Sequence, residues 1–462
     1  MGYFDFLHRE FFNHQKTGAF KPNALFTRTV SDADLNPKGR GPFDLALPIH
    51  VHEYVHYLHN VSTPVGIMLL LNELELINSF VKGTDGEGRY VNEGASAVSP
   101  RSYVETYKLL MGGVFGDPIP QEAKNLKWSF SEPEVEDAVI HFEDDCISGL
   151  KKARVAAKAK SQGSTEYSIS IELGLQFLTE GIAYEIDRSI RRKSGVWQDL
   201  DESTPAFPYL VYQPLIDFLI GRDSSEAERI VLGTCALLSF SPGAEFVRAC
   251  ATLRTGTLEG KAFHDYLAEL QGRLKLFGRH LDYKLLPEAR KSFRGAPSVL
   301  QGLDDYILIV NSAFKYRLEY PCFELAFCDI DSVGLFHNVV AAIAPQWICQ
   351  EKPDGGAVID WHGNKHIVDA IDQIAISTLQ SIFHYIQVHV SMSGNFNPTA
   401  KIKSVRCPFF GACAVQKDNK FPSECSTRPW DVKLAFSDEG KRQVCFYNSG
   451  AKSLYVEASS LP

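Results

Sequence analysis

Apolar positions along this chain recur mostly at helical spacing, and the places where that spacing fails mark out its organisation. The first 45 residues read as irregular structure with little periodicity. Leu47, Val51, Val55 and Leu58 then return every three or four positions, one face of a helix over Leu47–Asn60. Ser62-Thr63-Pro64 breaks the stripe, and the leucine-rich stretch Val65–Val81 predicts a second helix. Ser131-Glu132-Pro133-Glu134 has the serine, early proline and early acids of a helix start. The acidic run Glu132–Asp145 gives way to Lys151, Lys152, Arg154, Lys158 and Lys160, an order that suits a helix dipole, so a solvated helical face is expected there. More helices are expected over Ile169–Lys193 and at 224–239, 243–253, 259–276, 302–316 and 368–390. Asp199–Pro214, with Pro205, Pro208 and Pro214, is the expected linker, and Val358–Val368 is an expected strand or hairpin turning at Gly363-Asn364. The pattern predicts a mainly α (α+β) chain in three parts: 1–200 with an insertion around 83–165, a mainly helical 201–395, and a cysteine-bearing tail, 396–462.

Composition narrows the class. In 462 residues, 45% are hydrophobic, 22% charged and 11% aromatic, which supports a sizeable core and excludes disorder, collagen-like repeats and coiled-coil rods. Lys+Arg is 47 against 56 Asp+Glu, a formal charge of -9 that argues against a dedicated nucleic-acid binder. Ten cysteines in so long a chain are no disulfide framework. The opening MGYFDFLHREFF lacks the basic and apolar regions of a signal peptide, and the apolar run near Ile67–Leu71 is too short to span a bilayer. The expectation is a cytoplasmic protein with no membrane segment. No phosphate-binding loop, dinucleotide fingerprint or serine-nucleophile elbow is present.

The chemistry concentrates in His52-Glu53-Tyr54-Val55-His56, which fits H-E-x-x-H on a predicted helix. At 100° per residue its two imidazoles stand about 40° apart, one turn from each other, and can share one tetrahedral zinc ion. Glu53 beside them is placed to take a proton from an activated water without ligating the metal. Such a site needs a third protein ligand, and three residues compete: Glu180 on a later helix, Glu75 on the leucine-rich helix, and His59 on the same helix, where completing a tetrahedron with both other histidines is awkward. Near Glu180, Tyr184 is a candidate hydrogen-bond donor to a developing oxyanion. Asp187 is a candidate to orient a histidine ligand or to pair with Arg191.

With Thr179-Glu180-Gly181-Ile182-Ala183 beside H-E-x-x-H, the chain resembles the gluzincin branch of zinc metallopeptidases. That branch combines the motif on one helix with a glutamate ligand on a later one, often in an Asn/Thr/Ser-Glu-Gly-x-Ala setting. The likeness covers two helices and implies a zincin-like catalytic domain within 1–200, hydrolysis of a protein or peptide substrate, and a restricted or regulatory role. The spacing departs from simpler members, since Glu180 lies 124 positions after His56. The eighteen-residue gap of the aminopeptidase branch selects Glu75 instead. The alternative is a non-catalytic helical binding or scaffold protein with a structural or vestigial metal site; hydrolysis of a non-peptide amide is a third reading. In the tail, Cys407, Cys413, Cys425 and Cys445 are either a structural metal site or buried thiols. His362 and His366 are expected on a hairpin surface.

Overall fold

The computed structural model describes residues 18–19, 26–30, 46–81, 83–91, 100–120, 123, 125–142, 145–161, 165–194, 204–293, 296–351, 357–390, 395–410, 413, 422–432 and 445–455. Helix α1 (Ala46–Ser62) turns at Ser62-Thr63 into α2 (Pro64–Val81), and α3 (Pro100–Met111) follows. The junction between α1 and α2 is tight: the Ser62 and Thr63 hydroxyls donate back to the carbonyls of Leu58 and His59, and a Cβ at Gly66 would stand 2.2 Å from the Asn60 carbonyl oxygen. Five strands come next, β3 (Gly113–Gly116), β4 (Lys127–Phe130), β5 (Glu134–Phe142), β6 (Asp145–Lys160) and β7 (Glu166–Leu173), then α4 (Leu175–Ser194). A π-helical turn at Ala206–Leu210 leads into α5 (Tyr212–Ile220), α6 (Glu226–Leu237), α7 (Pro242–Arg254), α8 (Lys261–His280), α9 (Leu286–Ser292) and the long α10 (Pro297–Glu319). A 3-10 turn (Phe323–Asp329) precedes α11 (Val333–Ile343), β8 (Gln346–Glu351), β9 (Ala357–His362), α12 (Lys365–Ala370), α13 (Gln373–His389) and α14 (Phe446–Ser453). The chain is mainly helical with mostly antiparallel strands. Among the described residues, no helix is long and apolar enough to cross a membrane.

The helix expected over the acidic and basic runs is instead a hairpin in a five-stranded antiparallel sheet. Acids of β5 face bases of β6: Glu134 stands opposite Arg154, Glu136 opposite Lys152 and Asp137 opposite Lys151. The Lys152–Glu136 pair closes to 3.1 Å. Segregated charge therefore reports cross-strand complementarity, not a helix dipole. A period of two was also present: Ala153, Val155, Ala157 and Ala159 are buried, while Lys158 and Lys160 point outward. The helix expected from Ile169 divides in the same way, its first residues belonging to β7 and the rest to α4.

This sheet accounts for the long gap between the two motif helices. It leaves the helical body at Gly112 and returns at Gly174, where the two backbones touch. A Cβ at Gly112 (φ +70°) would lie 2.6 Å from the Gly174 nitrogen. Strand β3 pairs with β7, so α4 begins where α3 ended.

A second sheet takes β1 (Gly18–Ala19), β2 (Phe26–Val30), β8 and β9 in that order, with β2 and β8 parallel. The expected 358–368 hairpin is corrected here: β9 pairs backward with β8, and Gly363-Asn364 opens helix α12, the Asn364 side chain accepting from the His366 N–H. The expected linker is partly built in as well: Ala206, Val211 and Tyr212 are buried, and the Tyr212 hydroxyl donates to the Arg229 carbonyl at 2.9 Å. One continuous hydrophobic core runs from Leu47 to Leu454.

Helix α1 lies deep in that core and packs along α4. Its Tyr54 and Tyr57 hydroxyls donate to the carbonyls of Ala344 and Pro345 at 2.9 and 2.7 Å, tying it to the start of β8. On α4, a Cβ at Gly181 would come within 2.3 Å of the buried Tyr212 ring, whose hydroxyl lies against Gly233 of α6. Gly181→Ala should therefore destabilise the protein by about 1–3 kcal/mol through overpacking. Gly272→Ala, on the open face of α8 with nothing within 4 Å, should instead gain up to about 1 kcal/mol. Chemical denaturation of the two variants checks the contrast, and equal effects would contradict this account of Gly181.

Candidate metal centre

Helix α1 supplies His52 and His56, and α4 supplies Glu180. The two Nε2 atoms lie 2.9 Å apart, and Glu180 Oε2 stands 3.5 Å from that of His52 and 3.4 Å from that of His56. Among the described residues, only these three place donor atoms of His, Cys, Asp or Glu within 4.8 Å of one another as a group. Glu75 is not part of it and sits half-buried on α2. His59 points away, with its Nε2 3.2 Å from Glu324.

Thr179-Glu180-Gly181 divides its work along one turn of α4. Thr179 Oγ1 lies 2.9 Å from His56 Nδ1, behind the ring, while Glu180 meets its front. Gly181 clears room for Tyr212. Glu53 is buried at 6% exposure beside His52. Asp187 does pair with Arg191, as its spacing suggested, but the pair is buried rather than on the surface. Its charge also reaches His52. Tyr184 is buried, its ring 5.2 Å from that of Tyr209.

Tyr209 is the residue that the sequence did not single out. It sits in the π-helical turn, its ring 6.4 Å from His52 and its phenol within the electrostatic reach of the Glu180 carboxylate. Burial and the charges of Glu180, Glu53 and Asp187 push the phenol well above its usual range, so it remains a neutral donor. Three prolines nearby pointed to a linker and masked it; the Tyr209-Leu210-Val211-Tyr212 run was the available signal.

Burial disfavours a charged His52, yet contact with Glu180 and the charges of Glu53, Glu180 and Asp187 carry it up to about 9. Burial likewise opposes ionisation of Glu180, but His56 and His52 hold its carboxyl well below the usual range. Neither group is sealed: the side chains of His52 and Glu180 are 13% and 21% exposed.

The donor set fits a zinc ion. Two imidazole nitrogens and a carboxylate oxygen around tetrahedral zinc stand about 3.3 Å apart at ordinary bond lengths. The contacts to Glu180 match that spacing, the two nitrogens are slightly closer, and Glu180 Oε2 is buried with no hydrogen bond of normal geometry. Nε2 atoms at 2.9 Å cannot both face each other as lone pairs or both as N–H groups; a shared proton or a cation between them resolves the conflict.

The tail cysteines draw together without forming such a group. The Cys407 N–H donates to the Cys425 carbonyl at 2.7 Å, Cys413 lies one turn past Phe409, and the Cys445 sulfur caps α14. Burial, then Cys413, Cys445 and Cys425, push the Cys407 thiol up. Their sulfurs do not come within 4.8 Å of one another as a set of three. His362 is partly buried with its Nδ1 3.0 Å from that of His337, whereas His366 is exposed.

Comparison of the chain with known protein families, with curated proteins and with solved structures finds no match.

In the metal-free protein the His52–Glu180 pair makes a pH-dependent contribution. A histidine raised from 6.5 to about 9 stabilises the fold fully below 6.5 and loses that contribution as pH rises through 9. A carboxyl held below 4.5 stabilises above that value and loses the effect as pH falls further. Thermal unfolding of chelator-treated wild type and Glu180→Gln should therefore differ most between about 4.5 and 6.5, with the gap closing towards 9. A gap that stays constant from 6.5 to 9 would contradict this pairing.

Proposed function

We propose that the chain is a zinc-dependent peptidase of the gluzincin kind, in which His52, His56 and Glu180 hold the metal and Glu53 is the general base. One observation carries this reading: a glutamate 124 positions downstream meets both imidazoles of an H-E-x-x-H helix. When bound, zinc acidifies a water and polarises a substrate carbonyl. Glu53, held next to His52 on the buried helix, takes the proton of the attacking water and returns it to the leaving amine. Tyr209, kept neutral beside the cluster with its ring 6.4 Å from that of His52, is our candidate donor to the oxygen that gains charge. Tyr184 backs its ring. His52 and Glu180 keep partial exposure, and the proposed role is restricted proteolysis of a protein or peptide substrate. Against the scaffold alternative, a structural metal site has no need of an acid between its histidines.

Protein purified without chelators should carry about one zinc per chain. Glu53→Gln should keep that zinc and lower peptide hydrolysis by about 10²–10⁴-fold. His52→Ala should lose both metal and turnover. Zinc-free wild type, or a Glu53→Gln variant that cleaves at the wild-type rate, overturns the proposal. The same metal analysis distinguishes the two glutamates: Glu180→Ala should lower zinc content and Glu75→Ala should leave it unchanged.

A further inference from the structure

Behind the metal centre a chain of buried polar groups runs from Thr179 into the helical body. Thr179 Oγ1 touches two imidazoles at once, His56 Nδ1 at 2.9 Å and His59 Nδ1 at 2.5 Å. His59 Nε2 lies 3.2 Å from Glu324 Oε1 on the 3-10 turn. Arg317, from α10, grips the same carboxylate with both ends of its fork, at 2.8 and 2.6 Å. Arg317 is anchored in turn by the Pro321 carbonyl at 2.8 Å, by the Ser62 hydroxyl at 3.0 Å and by the face of Phe323. His59, Arg317 and Glu324 are each at most 1% exposed, so no bulk water substitutes for these partners.

Donor and acceptor roles in such a chain follow one from the next. A carboxylate gripped by a guanidinium fork is ionised and only accepts, so His59 Nε2 carries a hydrogen and donates to it. A neutral imidazole with hydrogen on Nε2 has a bare Nδ1, so the Thr179 hydroxyl donates there. Having given its only hydrogen to His59, Thr179 accepts from His56, which must carry its hydrogen on Nδ1. The His56 Nε2 lone pair is then left facing His52 and Glu180. Burial, with the Arg317 charge beside Glu324, keeps His59 neutral, at about 4.

We infer that Arg317, Glu324, His59 and Thr179 are positioning residues that lock His56 in the tautomer whose Nε2 can take a metal. The functional consequence rests on the proposed metal centre, but the tautomer itself does not. Residues on α10 and the following turn, more than a hundred positions beyond Glu180, would then set the ligand quality of a histidine they never touch.

Full-length protein with ¹⁵N-labelled histidine tests the inference directly, because long-range nitrogen–proton spectra distinguish the two tautomers. Metal-free wild type should show His56 with hydrogen on Nδ1. Thr179→Val, which keeps the shape and removes the hydroxyl, should release that preference and weaken affinity for added zinc or cobalt(II) by about 10–100-fold. Thr179→Ser should restore both. Wild-type His56 with hydrogen on Nε2, or a Thr179→Val protein with tautomer and metal affinity unchanged, overturns it. A locked tautomer in a protein that binds metal yet cleaves no peptide supports this inference while defeating the peptidase proposal, so the two fail separately.

Discussion

The close crossing of helices α1 and α4 is the constraint on which the rest of this structure depends. Helix α1 is buried on nearly every side, and it carries His50, Glu53, His56 and His59 into the core along with its apolar stripe. Polar groups withdrawn from water need partners or they cost stability. Helix α4 supplies several within one turn, Thr179 between two histidines and Glu180 against the His52–His56 pair. Gly181 completes the fit by having no side chain, which lets Tyr212 lie beneath it and hold the turn bearing Tyr209. Three successive residues thus serve a hydrogen bond, a charge and a packing surface.

The five-stranded sheet shows how a long excursion preserves such a crossing. Its strands leave the helical body and return at touching glycines, so the distance in sequence between α1 and α4 hardly affects their distance in space. Outside that point the sheet pairs acid with base across β5 and β6, which stabilises it without demands on the site. Spacing along the chain is therefore a weak guide to which glutamate meets the histidines. Glu75 sits at a familiar interval, yet it lies outside the cluster, on the partly exposed stripe of α2 that Leu71 and Asn78 share.

The candidate centre is electrostatically asymmetric. Its front, with Glu53, Glu180 and Asp187, is acidic and partly open, and it favours a cation held between His52 and His56. Its back is dry, with Arg317 and Glu324 compensating each other inside the core. A buried ion pair of this kind adds little net stability, but removing one partner leaves a charge stranded. Its value lies in specificity of arrangement, here a fixed direction of hydrogen bonding towards His56.

Much of this was legible beforehand. The α1 stripe of Leu47, Val51, Val55 and Leu58 and the one-turn spacing of His52 and His56 are local properties of a helix, set by periodicity, and the Thr-Glu-Gly turn could be read as a partner by its resemblance alone. Helices α6, α7, α8, α10 and α13 were legible for the same reason, whereas α11 and α14 were not singled out. The β5–β6 hairpin was not: segregated charges read equally well as a dipole or as facing strands, and only pairing decides between them. Tyr209 was masked by the prolines around it, and nothing in the neighbourhoods of Arg317 and Glu324 marks them; all three matter through contacts made across the fold. The sequence by itself determined which chemical groups exist and which lie on a common helical face, because those depend on neighbours three and four residues away. Which glutamate meets the histidines, and which way their hydrogens point, was decided only by tertiary packing, because those depend on groups that the chain brings together from more than a hundred residues apart.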